Sequence, residues 1–384
     1  MPEYEKILRR LAVLHPKQID LSLGRINKLL TKLGNPESKL PPTIHVAGTN
    51  GKGSTIAFLR SIFEKNFFNV HVYTSPHLIN FNERIRMNSK LISNESLINL
   101  LEECEFYNQN NPITFFEITT CAAYLGFSRV QADVLLLETG LGGKFDATNV
   151  VKDKICSVLT PISLDHMSFL GNSIKLITKE KVGIFKKNIP AVISQQLPEA
   201  LKIIKNESIK KNIDLFQYGS DWKILNKKNN HFKIKIFNKN YEVPTPKLFG
   251  EHQLYNSGLA LAVSKTIKGF KFKDENSFKG IYETFWPARM QKINKGKLKT
   301  ISGRKFELWL DGGHNSHASE MLLQNLKKWK KNNLFLIFGM IKGKEPEDFL
   351  NKLLPYFRSI QVIPIKEHEF INSKNIKDIF KNFS

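Results

Sequence analysis

Residues Ile44–Ser54 read Ile-His-Val-Ala-Gly-Thr-Asn-Gly-Lys-Gly-Ser. An apolar strand candidate, Thr43–Ala47, runs straight into a glycine-rich loop, and an amphipathic helix candidate follows over 52–66. A strand, a tight turn and a helix in that order demand a βα unit, and βα units build parallel sheets. Further strand candidates are Asn69–Thr74, Ala132–Leu137, Ile155–Thr160 and Ala191–Ser194. Helix candidates lie near 93–109, 114–128, 172–186 and 198–211, with another at 251–268. The expected fold is α/β, with an N-terminal P-loop-type domain built on a mostly parallel sheet. Trp222–Val243 alternates polar and apolar residues around Asn229-Asn230, which predicts a β-hairpin on that sheet.

Past Trp286-Pro287 the pattern restarts with a strand at Phe306–Leu310, a helix over 315–331 and a strand at Leu334–Phe338. A helix over 346–355 and a strand at Ser359–Ile363 follow. A boundary is expected near 284–296, where Pro287, Gly296 and several lysines break the periodicity. This gives a first domain over 1–284 and a smaller, Rossmann-like α/β domain over 285–384. A length of 384 residues suits two domains.

Composition narrows the function classes. With 41% hydrophobic and 24% charged residues the chain is ordinary globular material, not a disordered or collagen-like one. No apolar run reaches the roughly 18 residues of a spanning helix. Met1-Pro-Glu-Tyr-Glu-Lys does not read as a signal peptide, so a cytoplasmic protein is expected. Three widely spaced cysteines, Cys104, Cys121 and Cys156, fit a reducing compartment and no structural zinc. The net charge of +23 comes from 58 basic residues, only ten of them arginine. Scattered lysines make a solvated surface with a weak pull on anions, and no nucleic-acid-reading module is recognisable.

The loop Gly48-Thr49-Asn50-Gly51-Lys52-Gly53-Ser54 has the chemistry of a phosphate cradle. Its glycines let backbone N–H groups turn inward, and the following helix N-terminus favours anions. Lys52 can reach terminal phosphates and the Ser54 hydroxyl can ligate Mg²⁺. The standard P-loop pattern is not met, because Val46 stands at its first glycine and Gly53 separates Lys52 from Ser54. In Val134–Gly143, Glu138 falls at the C-terminal end of a buried strand, where parallel sheets bind ligands, and its carboxylate suits Mg²⁺. Asp165 and His166, just past another strand, are a metal ligand with its orienting partner, or a general base. Pattern alone makes Lys181 one helix lysine among many. Asp311 and His314 follow a strand that ends in a polar glycine loop.

Together these residues resemble the folylpolyglutamate synthase/dihydrofolate synthase family of the Mur-ligase superfamily. The resemblance runs in order from Asp20-Leu-Ser-Leu-Gly-Arg-Ile26 through Ala47–Ser54 and Thr74-Ser-Pro-His-Leu78 to Asn82-Glu-Arg-Ile85. It continues through Phe115-Phe-Glu117, Glu138–Asn149, Asp165-His166 and Glu180-Lys-Val-Gly-Ile184. Gly250-Glu-His-Gln253, Asn256, Trp286-Pro-Ala-Arg289 and Leu310–Asn315 complete it. The loop Gly-Thr-Asn-Gly-Lys-Gly-Ser characterises this family rather than P-loop proteins at large.

The resemblance implies an ATP-dependent ligase adding L-glutamate to dihydropteroate, to reduced folates, or to both, through an acyl phosphate. It implies Mg²⁺, two ions in all, held by Ser54, Glu138, His166 and a carbamylated Lys181, with Lys52, Lys181 and His166 as the catalytic set. A monovalent cation is a further implied cofactor. Asn256, Arg289, Asp311 and His314 match nucleotide-contacting positions, alongside the loop from Gly48 to Ser54. Ser75, Pro76, His77 and Phe115 match folate- or pteroate-facing loops. The implied protein is a monomer acting on small molecules, with no nucleic-acid or membrane partner. Ala288 and Gly313 replace the family's usual Gly and Ala, and Lys342-Gly343 stand where an acidic residue is common. The family's second domain usually continues by a helix and a strand beyond Ser384, so that sheet is expected to lack an edge or the chain to be incomplete.

Three other functions compete. A Mur-type ligase acting on another carboxylate substrate would not need the folate-type stretch Thr74–Leu78. A lysine-rich nucleic-acid binder would lose affinity steeply with salt. A relative that binds nucleotide without turnover would follow from the short second domain.

Overall fold

A computed structural model describes residues 2–371, apart from 18, 229, 304, 330–332, 343 and 366–368. Asn229 of the expected hairpin turn, Gly343 and the chain end at Ser384 lie outside the described residues. The chain divides into two compact units. One comprises Met1–Ile162, His166–Lys247 and Leu254–Phe285; the other comprises Ser163–Asp165, Leu248–Gln253 and the chain from Trp286 onward.

The first unit is built on eight strands: β1 (Thr43–Ala47), β2 (Val70–Tyr73), β3 (Ile85–Met87), β4 (Lys90–Leu91), β5 (Val134–Glu138), β6 (Lys154–Leu159), β7 (Ala191–Ile193) and β8 (Leu215–Gln217). Their order across the sheet is β4-β3-β2-β5-β1-β6-β7-β8. From β2 to β8 every neighbouring pair is parallel. Only the β2–β3 and β3–β4 pairs are antiparallel. Every residue of β1 and β5 is buried, as expected of central strands covered on both faces.

Helices α1 (Glu3–Ala12), α2 (Gly24–Lys32), α3 (Lys52–Lys65), α4 (Asn94–Asn108) and α5 (Phe115–Arg129) come with the first strands. Helices α6 (Met167–Leu170), α7 (Ile174–Lys181), α8 (Pro198–Lys210), α9 (His252–Thr266) and α10 (Asp274–Glu283) follow. Caps explain several starts. Thr114 and Glu117 form a reciprocal capping box on α5, and the Ser93 and Ser173 hydroxyls accept from backbone N–H groups of α4 and α7. One large core joins Ile7, Leu11, Leu29 and Leu30 to Leu101, Tyr124, Leu135 and Leu137. A second, on the other side of β1, holds Leu159, Ile177, Ile184, Phe185 and Ile193.

The expected hairpin is corrected. Trp222–Lys228 (β9), His231–Ile236 (β10) and Lys239–Pro244 (β11) form a separate three-stranded antiparallel sheet, not an extension of the large one. Its buried side chains alternate through Trp222, Phe232, Ile234, Ile236 and Val243. That face packs on α9, where a Cβ on Gly258 would lie 3.1 Å from Trp222, Ile224 and Ile234. Packing on a helix, rather than pairing with β8, satisfies this apolar face. The helix expected over 172–186 ends early at Lys181, and a 3₁₀ turn spans Val182–Ile184. There Gly183 meets the Lys144 backbone so closely that a Cβ would lie 2.5 Å from the Lys144 Cα. Helices α1, α2, α6 and α10 and strands β3, β4 and β8 are additions to the sequence expectation.

In the second unit the described strands form two pairs. Gln291–Ile293 (β12) and Leu308–Leu310 (β13) are antiparallel, and α11 (Lys297–Ser302) lies between them in sequence. Phe335–Phe338 (β14) and Ser359–Val362 (β15) are parallel and joined through α13 (Pro346–Leu350), while α12 (Ser316–Lys328) precedes them. Leu326, Phe338, Phe349, Leu350 and Leu353 form this unit's core. Among the described residues no helix is long and apolar enough to cross a membrane.

Helices α3 and α10 meet at bare backbone. The Ser61 hydroxyl donates to the Gly280 carbonyl at 2.8 Å, and a Cβ on Gly280 would stand 2.7 Å from the Ser61 carbonyl oxygen. Gly280→Ala should therefore destabilise the fold by about 2 kcal/mol, the usual cost of overpacking. A lowered midpoint in chemical denaturation checks this; an unchanged midpoint would show that the helices can slide apart freely.

Candidate active site

The loops after β1, β2, β5 and β6 all leave the same, C-terminal edge of the parallel strands. Immediately after β1, Gly48 has φ of +146°, a conformation only glycine takes readily. A Cβ there would fall 1.9 Å from the Thr160 Oγ1, so the loop lies directly against the end of β6. Backbone bonds seal that contact: Thr160 N donates to Ala47 O, and Thr49 N to Pro161 O, both at 2.9 Å. Gly51, with φ of +87°, touches the Asn256 side chain, whose Oδ1 would lie 2.6 Å from a Cβ at that position. Asn256 of α9 is thus placed against the glycine loop that precedes α3.

Two lysines converge on one acceptor. Lys52 arches back so that its Nζ donates to Gly48 O at 3.1 Å and to Thr49 O at 3.2 Å. Lys181, buried at the end of α7, donates to the same Gly48 carbonyl at 2.8 Å. Ser54, two residues into α3, is buried. Glu138 is also buried, and β5 pairs with β1 so that Glu138 lies opposite Val46. The Ser75 N–H, just past β2, donates to Glu138 Oε2 at 3.3 Å. Ser75, expected in a substrate-facing loop, is therefore also in contact with the expected metal carboxylate. His166 sits in the left-handed region, φ +51°, at the start of α6.

Behind this edge runs a buried polar chain. Lys154 Nζ donates to His45 Nδ1 at 2.6 Å, to Asn149 Oδ1 at 3.0 Å and to Ile184 O at 3.2 Å. His45 Nε2 reaches Thr148 Oγ1 at 2.8 Å, and the Thr148 hydroxyl donates to Asp146 Oδ1. Asp146 Oδ2 accepts from the Leu141 N–H at 2.7 Å in the glycine loop after Glu138. The bonding pattern assigns the imidazole as neutral, with its proton on Nε2. Burial pushes His45 and Lys154 well below their ordinary ranges and pushes the Asp146 carboxyl up. Asn149 Nδ2 adds bonds to Lys144 O and Gly183 O at 3.0 and 3.1 Å. One network thus ties the strand before the phosphate loop, the loop after Glu138 and the turn after Lys181.

The second loop, Thr74–Asn80, is fixed by Glu83, which accepts from the Leu78, Ile79 and Asn80 N–H groups at 2.8–3.0 Å. The Ser75-Pro76 peptide bond is cis. His77, Phe81 and Phe115 gather around the Arg84 guanidinium. Arg84 lies in an aromatic cluster whose members come from separate stretches of chain, so no single motif shows it.

Arg289, Asp311 and His314 come together in the second unit. Arg289 Nη1 donates to Ala288 O at 2.8 Å, and Gly312 N donates to the same carbonyl at 3.0 Å. Asp311 accepts from Met290 N at 2.8 Å and from Gly313 N at 2.7 Å. His314 Nδ1 lies 3.1 Å from Gly312 O. Asp165 belongs to this unit, where Lys344 and Asn315 donate to it at 2.8 and 2.9 Å and His314 lies 3.8 Å away. It is therefore held by these groups, in a different unit from its sequence neighbour His166.

Among the described residues no group of three or more His, Cys, Asp or Glu side chains is clustered for a metal. An all-protein cage is not on offer. A buried hydroxyl and a strand-end carboxylate instead fit Mg²⁺, which keeps waters and substrate phosphates as its remaining ligands.

Two predictions follow from backbone geometry. Gly48→Ala should cost about 3 kcal/mol or more, since it combines a steric clash with a disfavoured φ. Unfolding midpoints would read it, with loss of nucleotide binding in whatever protein folds. Ala288 has φ of +52°, where glycine is at ease and alanine is not. Ala288→Gly should stabilise the second unit by about 0.5–1 kcal/mol, and a lower melting temperature would contradict this.

Residues 46–264 match the Mur ligase middle domain family. The chain is 34% identical over 346 residues to the dihydrofolate synthase/folylpolyglutamate synthase of Bacillus subtilis, spanning 86% of this chain and 78% of that protein. It is 33% identical over 347 residues to the dihydrofolate synthetase of Saccharomyces cerevisiae, spanning 88% and 79%. Among solved structures, E. coli FolC in complex with DHPP and ADP superposes with a TM-score of 0.88 at 29% identity, covering 98% of this chain and 87% of that one. A bifunctional folylpolyglutamate synthase/dihydrofolate synthase with Mn, AMPPNP and L-glutamate bound gives 0.85 at 27% identity, with 98% and 87% covered. With its glycine loop, strand-end glutamate and buried lysine in this order and at one sheet edge, the chain belongs to the dihydrofolate synthase/folylpolyglutamate synthase family of Mur ligases.

Proposed function

We propose that this protein is an ATP-dependent ligase that joins L-glutamate to dihydropteroate and to reduced folates. The observation that carries this reading is the meeting, at one sheet edge, of the Gly48–Ser54 loop, Glu138 and the Ser75 loop. A phosphate cradle, a metal-binding carboxylate and a substrate-facing loop are what phosphorylation of a carboxylate requires. Family membership supplies the substrate class.

The substrate carboxylate oxygen attacks the ATP γ-phosphorus, ADP leaves, and an acyl phosphate forms. The glutamate amine then attacks the acyl carbon, loses a proton and expels phosphate, leaving an amide. The first step brings two anions together, so positioning and charge neutralisation do most of the work. In this reading the loop N–H groups and Lys52 hold the phosphates, and Asn256 steadies Gly51 against them. Ser54, Glu138 and His166 would hold Mg²⁺, which supplies charge neutralisation and orientation of the phosphates when bound. Arg289, Asp311 and His314 would serve the nucleotide, the arginine at phosphate and Asp311 at ribose hydroxyls. Ser75, Pro76, His77 and Phe115 would face the pteroate or folate.

Lys181 is read as the carbamylated lysine of the superfamily. Its ammonium shares the Gly48 carbonyl with the Lys52 ammonium, an arrangement that places two like charges on one acceptor. Carbamylation would remove that repulsion and turn Lys181 into an oxygen ligand for a second Mg²⁺. A monovalent cation belongs to the same proposal. So does a monomeric enzyme in the cytoplasm, a setting that suits three buried free thiols.

Phosphate release with Mg²⁺, ATP and L-glutamate tests the reading, with dihydropteroate in one reaction and tetrahydrofolate in another. Release in both marks a bifunctional enzyme, release in one marks a dedicated enzyme, and silence in both overturns the proposal. Lys52→Ala should lower turnover by at least about 10³-fold while leaving the melting temperature within a few degrees. Lys181→Ala should lose activity and regain part of it with short carboxylic acids; an active enzyme with unmodified Lys181 would contradict carbamylation.

A further inference from the structure

Arg84 is a partly buried cation that donates to an imidazole and lies beside two phenyl rings. It ends a 3₁₀ turn, Phe81–Arg84, and its carbonyl accepts from Thr74 N at 2.9 Å. That bond pins it beside the end of β2, next to β5 and its final residue Glu138. The Arg84 Nε donates to His77 Nδ1 at 2.9 Å, so this imidazole is an acceptor and carries no compensating charge. The guanidinium carbon lies 5.0 Å from the Phe81 ring centroid and 5.9 Å from that of Phe115. Among the described residues no carboxylate ion-pairs with Arg84. Burial weakens its hold on the proton, and the fields of Tyr73 and Glu138 oppose that effect.

A guanidinium partly desolvated by aromatic rings costs less when an anion completes it. One edge is spent on His77, and the terminal nitrogens keep the planar fork that matches a carboxylate. They stand at the same sheet edge as Glu138, in the loop cluster that holds Ser75, His77 and Phe115. We infer that Arg84 receives the free carboxylate of the pteroate-type substrate, the group that becomes phosphorylated. The inference rests on the ligase reading above. It adds a cation on the substrate side that offsets repulsion between that carboxylate and the γ-phosphate. Phe81 and Phe115 hold the guanidinium flat, and His77 fixes its rotation.

Equilibrium binding of dihydropteroate and of its neutral carboxamide analogue, by wild type and Arg84→Met, tests this. Wild type should prefer the carboxylate by about 10- to 100-fold, the range for a charge-assisted pair. In Arg84→Met that preference should fall close to one, with the carboxamide affinity and ATP binding little changed. Arg84→Gln, neutral but polar, gives the same readout should Arg84→Met not fold. A folded variant that keeps the wild-type preference overturns the inference. Equal loss of both ligands also overturns it, because it marks a packing role. If wild type binds neither ligand and releases no phosphate, the ligase reading itself has failed.

Discussion

Lys154, His45, Thr148 and Asp146 form a hydrogen-bonded chain inside the large sheet, and the loops at its C-terminal edge hang from it. Lys154 has three N–H donors and meets three acceptors. The chain ends on Asp146, whose other oxygen holds the Leu141 N–H. Buried polar groups are tolerated only when fully bonded, and such networks specify one arrangement. Here the specified arrangement sets β1, the loop after Glu138 and the turn after Lys181 relative to one another. The glycine loop, Glu138 and Lys181 are thereby held in mutual register from behind.

Close backbone approach does the same work on the open side. Gly48 lies on Thr160, Gly51 on Asn256, and Gly143 so near the end of α7 that a Cβ would sit 2.7 Å from the Glu180 carbonyl oxygen. Each contact excludes a side chain and thereby brings two distant stretches of chain together. The glycine loop owes its shape as much to β6 and α9 as to its own conformational freedom. The shape of this strand, loop and helix is therefore a property of the whole sheet edge.

Much of this was legible locally. The glycine loop announces itself because strand, glycines, lysine and helix are consecutive. Glu138 does so because a charged residue closes an apolar strand. Arg84 was hidden because its aromatic neighbours come from residues 77, 81 and 115, and motif reading joins only adjacent positions. The Ser75 contact with Glu138 was hidden because β2 and β5 become neighbours through sheet order, across more than sixty residues of chain. The bonds of Asp165 to Asn315 and Lys344 were hidden because they span 150 and 179 residues of chain.

The sequence by itself determined the α/β class, the parallel sheet, the position of the glycine loop and the family. These follow from periodicity, from turn chemistry and from ordered motifs, all of which are local. Only the tertiary structure decided that Trp222–Pro244 forms its own sheet, that two lysines share the Gly48 carbonyl, and that Arg84 is walled by aromatics. Those outcomes depend on strand order and on which surfaces must be buried together, and neither is written in any short stretch of chain.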